Sequence, residues 1–165
     1  MAMSVVAVMA AIAVPAMGDL TDNMKITESV RLIERELQDA RLRAVSSNRI
    51  LRVRTNCPTT GFVRTVELLN TTVDTSTNRC SAQNYPYPAA DDDMLTRPNY
   101  DGPVRAMPHD SVVGNYIIEF RPDGTSRNVV NNVAQDIASE ITITVSRSYK
   151  SRSITVNGAG KILLQ

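Results

Sequence analysis

The sequence predicts an α+β fold in which one long N-terminal helix packs on a C-terminal antiparallel β-sheet or β-sandwich. Three observations predict it. Apolar residues recur at helical spacing up to residue 44, the period shortens to two after Asn48, and the later apolar runs are separated by Pro, Gly and Asn turn signals. At 165 residues the chain suits one domain. Aromatic residues are only 4% and Trp is absent, so the core must rest on Ile, Val and Leu. The net charge of +1 supplies no overall field for nucleic acid or an anionic membrane, so such a partner would need a local patch.

The first element begins with residues 1–18, which carry no charged side chain and are almost wholly apolar or small. As a helix this stretch spans about 27 Å, a little less than a hydrocarbon core of about 30 Å. A secretory signal peptide is the alternative, with Ala11-Ile12-Ala13 or Val14-Pro15-Ala16 as small-residue cleavage sites, but no Lys or Arg precedes the apolar run. A buried core helix would need more protein around it than the chain supplies.

No turn signal separates this run from the next segment. Ile26, Val30, Ile33, Leu37, Ala40 and Ala44 are spaced by fours and threes and form one stripe, the predicted helix–sheet packing face. Glu28 with Arg31, Arg35 with Asp39, and Asp39 with Arg43 are placed to pair on the solvated side. Asn48 is the predicted stop, and Pro15 a predicted kink. The expected organisation is a membrane or filament-core half of the helix at 1–18, an amphipathic half at 19–48, and a β domain at 49–165.

Within the β domain, Leu51 and Val53 alternate with Arg52 and Arg54, and residues 62–69 form a second run. Five of the eight prolines fall in 81–111, which reads as a long irregular loop. Tyr116, Ile118 and Phe120 share a face and lead into Arg121-Pro122-Asp123-Gly124, a turn with Pro preset at its first central position. Ile141, Ile143 and Val145 alternate with hydroxyl residues. Ile154 and Val156 lead through Asn157-Gly158-Ala159-Gly160 into a closing hairpin.

Cys57 and Cys80 sit in Thr/Asn/Ser/Pro-rich surroundings. They read either as a disulfide, worth about 3 kcal/mol for a loop of about two dozen residues, or as two free thiols. With one His and two Cys the familiar zinc sites are excluded, and the chain shows no cofactor motif. His109-Asp110-Ser111 contains the residue types of a hydrolytic triad, but triads are assembled in space and this is a proline-rich loop. Asp91, Asp92 and Asp93 are calcium-ligand types without the Gly-containing spacing of an EF-hand, and read as a solvated acidic loop.

Four features, in this order, resemble the minor pseudopilins of type II secretion of the H type and the FimT-like minor pilins. They are the apolar run ending at Pro15, the segment 37–48 (LQDARLRAVSSN) entering a strand at Ile50-Leu51-Arg52-Val53, the Ile118-Glu119-Phe120-Arg121-Pro122-Asp123-Gly124 turn, and the closing hairpin with Gly160. The resemblance covers nearly the whole chain. It implies a non-enzymatic subunit of a hetero-oligomeric filament of pilins or pseudopilins. The subunit would sit as a single-pass protein of the bacterial inner membrane, with its β domain in the periplasm. It would then be added to the tip of a type II secretion pseudopilus or type IV pilus. It also implies cleavage and N-methylation by a prepilin peptidase, although the family's Gly followed by Phe-Thr-Leu-Ile-Glu is not found here. Either the chain begins at an internal Met, omitting the leader and the first helical turns, or this member is not processed in the family's way; the first is the expectation, because the apolar span is short by about the length of the missing motif. Packing of the small residues Ala7, Ala10, Ala11 and Ala13 would bring helix bases together.

Arg41, Arg43, Arg49, Arg52 and Arg54 form the densest basic cluster, and FimT-like proteins of naturally transformable bacteria bind DNA. Arg52, Arg54 and Lys161 are therefore candidate DNA contacts. The resemblance calls for Gly-Arg-x-Arg in the terminal hairpin, where this chain has Gly160-Lys161-Ile162-Leu163. One basic residue stands where two are expected, which removes a phosphate contact and disfavours DNA as a partner.

Overall fold

The computed structural model describes residues 2–68, 77–80 and 101–165, with helix side chains from Leu20 onward. One helix, α1 (Ala2–Ser47), runs unbroken through Pro15. It stops where Asn48 takes a left-handed backbone (φ 54°) and the Arg49 amide donates back to the Ala44 carbonyl at 3.1 Å. That six-to-one bond is a Schellman ending, with Asn in the position usually held by Gly.

The strands follow as β1 (Leu51–Thr55), β2 (Phe62–Glu67), β3 (Arg105–Ala106), β4 (Val112–Val113), β5 (Ile117–Phe120), β6 (Ser126–Val130), β7 (Val133–Asp136), β8 (Glu140–Arg147), β9 (Lys150–Asn157) and β10 (Ile162–Leu164). They form two antiparallel sheets, one ordered β3-β2-β1-β5-β6-β7 and the other β10-β9-β8-β4. Helix α1 packs on strands of both. Alternation explains the joint. Leu51 and Val53 face the core opposite Phe120 and Ile118, while on the second sheet Ile143 and Val145 join Ile154 and Val156. The stripe Ile26, Val30, Ile33, Leu37, Ala40 and Ala44 lies between them, each residue no more than 1% exposed.

The structure adds elements that the apolar pattern did not mark. The β6–β7 hairpin turns at Asn131 and Asn132, both left-handed, and its edge strand β7 is mostly exposed. Within the expected loop 81–111, residues 101–111 contain β3, a bridge from Asp101 to Val66, and a 3-10 turn (Pro108–Asp110). The Asp91–Asp93 triplet lies outside the described residues. Of the helix pairings, Arg43 Nε meets Asp39 at 2.8 Å, whereas Glu28 is engaged across the fold by His109.

Candidate functional site

The residues that matter are those fixing α1 to the two sheets and those its outer face leaves open. Near residue 22, where the helix enters the domain, Arg147 at the end of β8 pairs with Asp22 and donates from Nε to the His109 carbonyl at 2.8 Å. His109 Nε2 lies 2.7 Å from Glu28. Ser29, fully buried on α1, shares a 2.7 Å hydrogen bond with Ser111 and donates to the Pro108 carbonyl. His109 and Ser111 are thus held by different helix residues, Glu28 and Ser29, and no His–Ser relay is assembled. Among the described residues, no group of three or more His, Cys, Asp or Glu is placed to hold a metal ion.

Nineteen residues further along α1 the helix is clasped again. Arg41 donates from Nε to the Gly124 carbonyl at 3.2 Å and from Nη2 to the Ala159 carbonyl at 3.3 Å. It thereby joins the β5–β6 turn of one sheet to the β9–β10 turn of the other. The two turns also meet directly, since the Ser126 amide donates to the Gly158 carbonyl at 3.0 Å and its hydroxyl to the Asn157 carbonyl. Gly160 (φ +74°) sits inside this contact, where a Cβ would fall 2.2 Å from the Gly124 oxygen and 2.7 Å from Arg41 Nε. The clasp was not read from the sequence. The turn glycines were visible there, but nothing local links them to an arginine 118 residues away.

Cys57 and Cys80 are joined in a disulfide. Beside it, Arg79 is fully buried and forks onto Asp101, with Nε to Oδ2 at 2.9 Å and Nη2 to Oδ1 at 2.6 Å. Arg64, also fully buried, donates to the carbonyls of Gly102 and Arg79, both at 2.7 Å. These bonds tie β2 to the segments at 79–80 and 101–102. Burial holds the Arg64 guanidinium below its ordinary pKa, with Asp101 opposing the shift and Arg79 adding to it. Arg54, opposite Arg64, is lowered by burial first and then by Arg52 and Arg79.

At the helix-to-strand junction, too, basic residues are engaged within the fold. Arg52 is buried, and its Nε meets Glu119 at 2.9 Å. Register extends the pair into an alternating row across four strands, Arg52, Glu119, Arg127 and Asp136, with the last two 2.7 Å apart. Arg49 pairs with Glu67. Of the three candidate DNA contacts, Lys161 is exposed in the terminal hairpin, Arg54 is half-buried, and Arg52 is not available to a phosphate.

The outer face of α1 is open. Leu20, Met24, Thr27, Arg31 and Arg35 line a groove of about 820 Å³ whose far wall is Ala106 and Pro108. Glu36, buried on the adjoining helix turn, meets Arg105 of β3 at 3.3 Å. Burial pushes its carboxyl above the ordinary range, and Arg105 pulls it back only in part.

Neither a scan against protein-family models nor a search of curated proteins gives a match. Among solved structures, the chain is similar to the type IV minor pilin FimU of Pseudomonas aeruginosa. One crystal form shows 17% identity and a TM-score of 0.51, covering 88% of this chain and 92% of that one. A second gives 15% and 0.49, covering 84% and 91%. A long helix joined to antiparallel sheets over almost the full length of both proteins is a likeness of architecture, and at this identity it establishes the fold: the chain has the fold of a type IV minor pilin.

Proposed function

We propose that the chain is a structural subunit of a type IV pilus or type II secretion pseudopilus, placed near its tip, and that its work is packing and not bond chemistry. The observation that carries this is α1. Its 46 residues make a rod of roughly 70 Å, and the described side-chain contacts to the sheets run from Asp22 to Ala44. The uncharged residues 1–18 form the base of that rod. In this reading they rest in the inner membrane before assembly and among the bases of neighbouring helices afterwards, with the β domain in the periplasm. Among the described residues no helix is long and apolar enough to cross a membrane. In the filament, close packing of small residues on neighbouring helices holds the bases together.

The groove beside α1 supports a helix-shaped neighbour, because it follows the helix for four turns and mixes exposed apolar residues with Glu28, Arg31 and Arg35. Contacts between unlike surfaces whose rotation does not close into a ring build open assemblies, which suits a subunit that begins or ends a filament. A photoreactive residue at Arg35 tests the assignment in cells that make pili or pseudopili. An adduct identified as another pilin subunit is the expected result. Assembled filaments with no such adduct, together with unimpaired assembly when the chain is deleted, would remove the proposal.

A further inference from the structure

We propose that the β8–β9 turn and the adjoining turn of α1 form a collar that seats the β domain on the lipid headgroups of the bilayer holding the helix base. This rests on the reading above that residues 1–18 lie in the membrane. One face of the second sheet changes character along its length. Its core portion is Ile143, Val145, Ile154 and Val156, all buried, but by register the same face continues past the core into Arg147, Lys150 and Arg152. Those cations gather where α1 enters the domain, because Arg147 is held to Asp22.

Beyond them the chain turns through Ser148 and Tyr149. The Tyr149 ring is 73% exposed, with Lys150 Nζ 5.4 Å from its centroid. On the helix at the same level, Leu20 and Met24 are 64% and 73% exposed, although the buried stripe begins two residues later at Ile26. An exposed aromatic, two exposed aliphatic side chains and a basic cluster therefore share one end of the domain.

The levels agree with a headgroup layer. Asp22 is four residues past Gly18, about 6 Å of helix rise. The polar layer on each side of a bilayer is about 5–7 Å thick, the difference between about 40–45 Å overall and about 30 Å of hydrocarbon, shared between two faces. Tyr149 sits in the two-residue turn just beyond the Arg147–Lys150 pair, about one residue of strand rise, roughly 3 Å, nearer the membrane. Tyrosine favours this zone because its ring is apolar and its hydroxyl polar. Lysine and arginine favour an anionic surface, while the carboxylates of Asp22 and Glu28 on the same helix turns are engaged by Arg147 and His109.

The chain contains no tryptophan, so Tyr149→Trp installs a single indole reporter. The full chain is reconstituted into phosphatidylcholine vesicles with and without phosphatidylglycerol. Leu20→Trp serves as a second reporter, and Leu42→Trp, exposed about 30 Å further up α1, as the reference. At 149 and 20 the emission shifts to the blue, quenching by iodide is lost, and quenching by brominated acyl chains is gained; at 42 none of these occurs. Combining Tyr149→Trp with Lys150→Glu and Arg152→Glu removes the phosphatidylglycerol-dependent part of the shift. If the chain floats with the vesicles but the indoles at 149 and 20 behave like that at 42, the collar is refuted while the membrane reading stands. If the chain does not float with the vesicles, both fail.

Discussion

Replacing Gly160 by alanine probes whether the two sheets are held together through the Arg41 clasp, and Gly61 supplies an internal reference. Both glycines have positive φ, +74° and +85°, so alanine at either meets the left-handed backbone cost of roughly 1–2 kcal/mol. Around Gly61 a Cβ meets nothing within 4 Å, whereas at Gly160 it falls 2.2 Å from a backbone oxygen. A contact that short forces the β9–β10 turn away from the β5–β6 turn, an overpacking cost of about 1–3 kcal/mol. The movement also weakens the charge-assisted bonds from Arg41, each worth about 1.5–3 kcal/mol. Gly160→Ala should therefore cost about 2–4 kcal/mol more than Gly61→Ala, the upper figure applying if one Arg41 bond is lost. For a chain of this size each kcal/mol moves Tm by roughly 2–4 °C. Thermal and urea unfolding of the full chain in detergent, followed by far-UV circular dichroism, measures the difference. In an Arg41→Ala background the excess should shrink but persist, because the closest contact is to backbone. Equal destabilisation by the two glycine variants would show that the turns do not press on one another and that the clasp is incidental.

Other expectations follow from the packing. Leu37→Ala, at a fully buried stripe position, should cost about 2–5 kcal/mol, while Leu42→Ala, 67% exposed on the same helix, should stay within about 0.5 kcal/mol of the parent in urea titrations. Replacing Cys57 and Cys80 together by serine opens a loop with a sequence separation of 23 and should lose about 3 kcal/mol, a loss reproduced by reducing the parent. Glu36 carries a pH signature. Its folded-state pKa is raised above 4.5, so the folded chain holds this proton more tightly, and its contribution to stability falls as pH rises from 4.5 through the raised value. Glu36→Gln should flatten that portion of the stability–pH curve, and an unchanged slope would place its origin elsewhere. Duplex DNA titrated at low salt should show no binding, and Lys161→Ala should make no difference, since Arg52 is committed to Glu119.

The one-dimensional pattern was enough for much that depends on neighbours in the chain. The spacing of Ile26 through Ala44 defines a helix face because side chains three and four apart lie on one side, whatever the rest of the molecule does. Asn48, the Arg121–Gly124 turn and the terminal Asn157–Gly160 turn were legible because left-handed or proline-fixed backbone is a local requirement. Strands β6 and β7 were not, since β6 takes its register from β5 and the exposed edge strand β7 needs no apolar alternation.

The partners of the arginines depended wholly on tertiary structure. Arg52 and Arg54 alternate with apolar residues, which reads as a solvated strand face, yet Arg52 is buried against Glu119 of β5, and the neighbouring Arg64 of β2 is buried under bonds to residues 79 and 102. Arg41 is one charge among many along α1 until two turns, each more than 80 residues distant, present their carbonyls to it. Periodicity and turn chemistry are properties of adjacent residues, so the sequence alone determined the rod, the apolar strands and the reversals at Asn48, Arg121–Gly124 and Asn157–Gly160. Ion pairing and layer order arise between groups far apart in the chain, so only the folded molecule decided which charges are spent inside and which surface is left open.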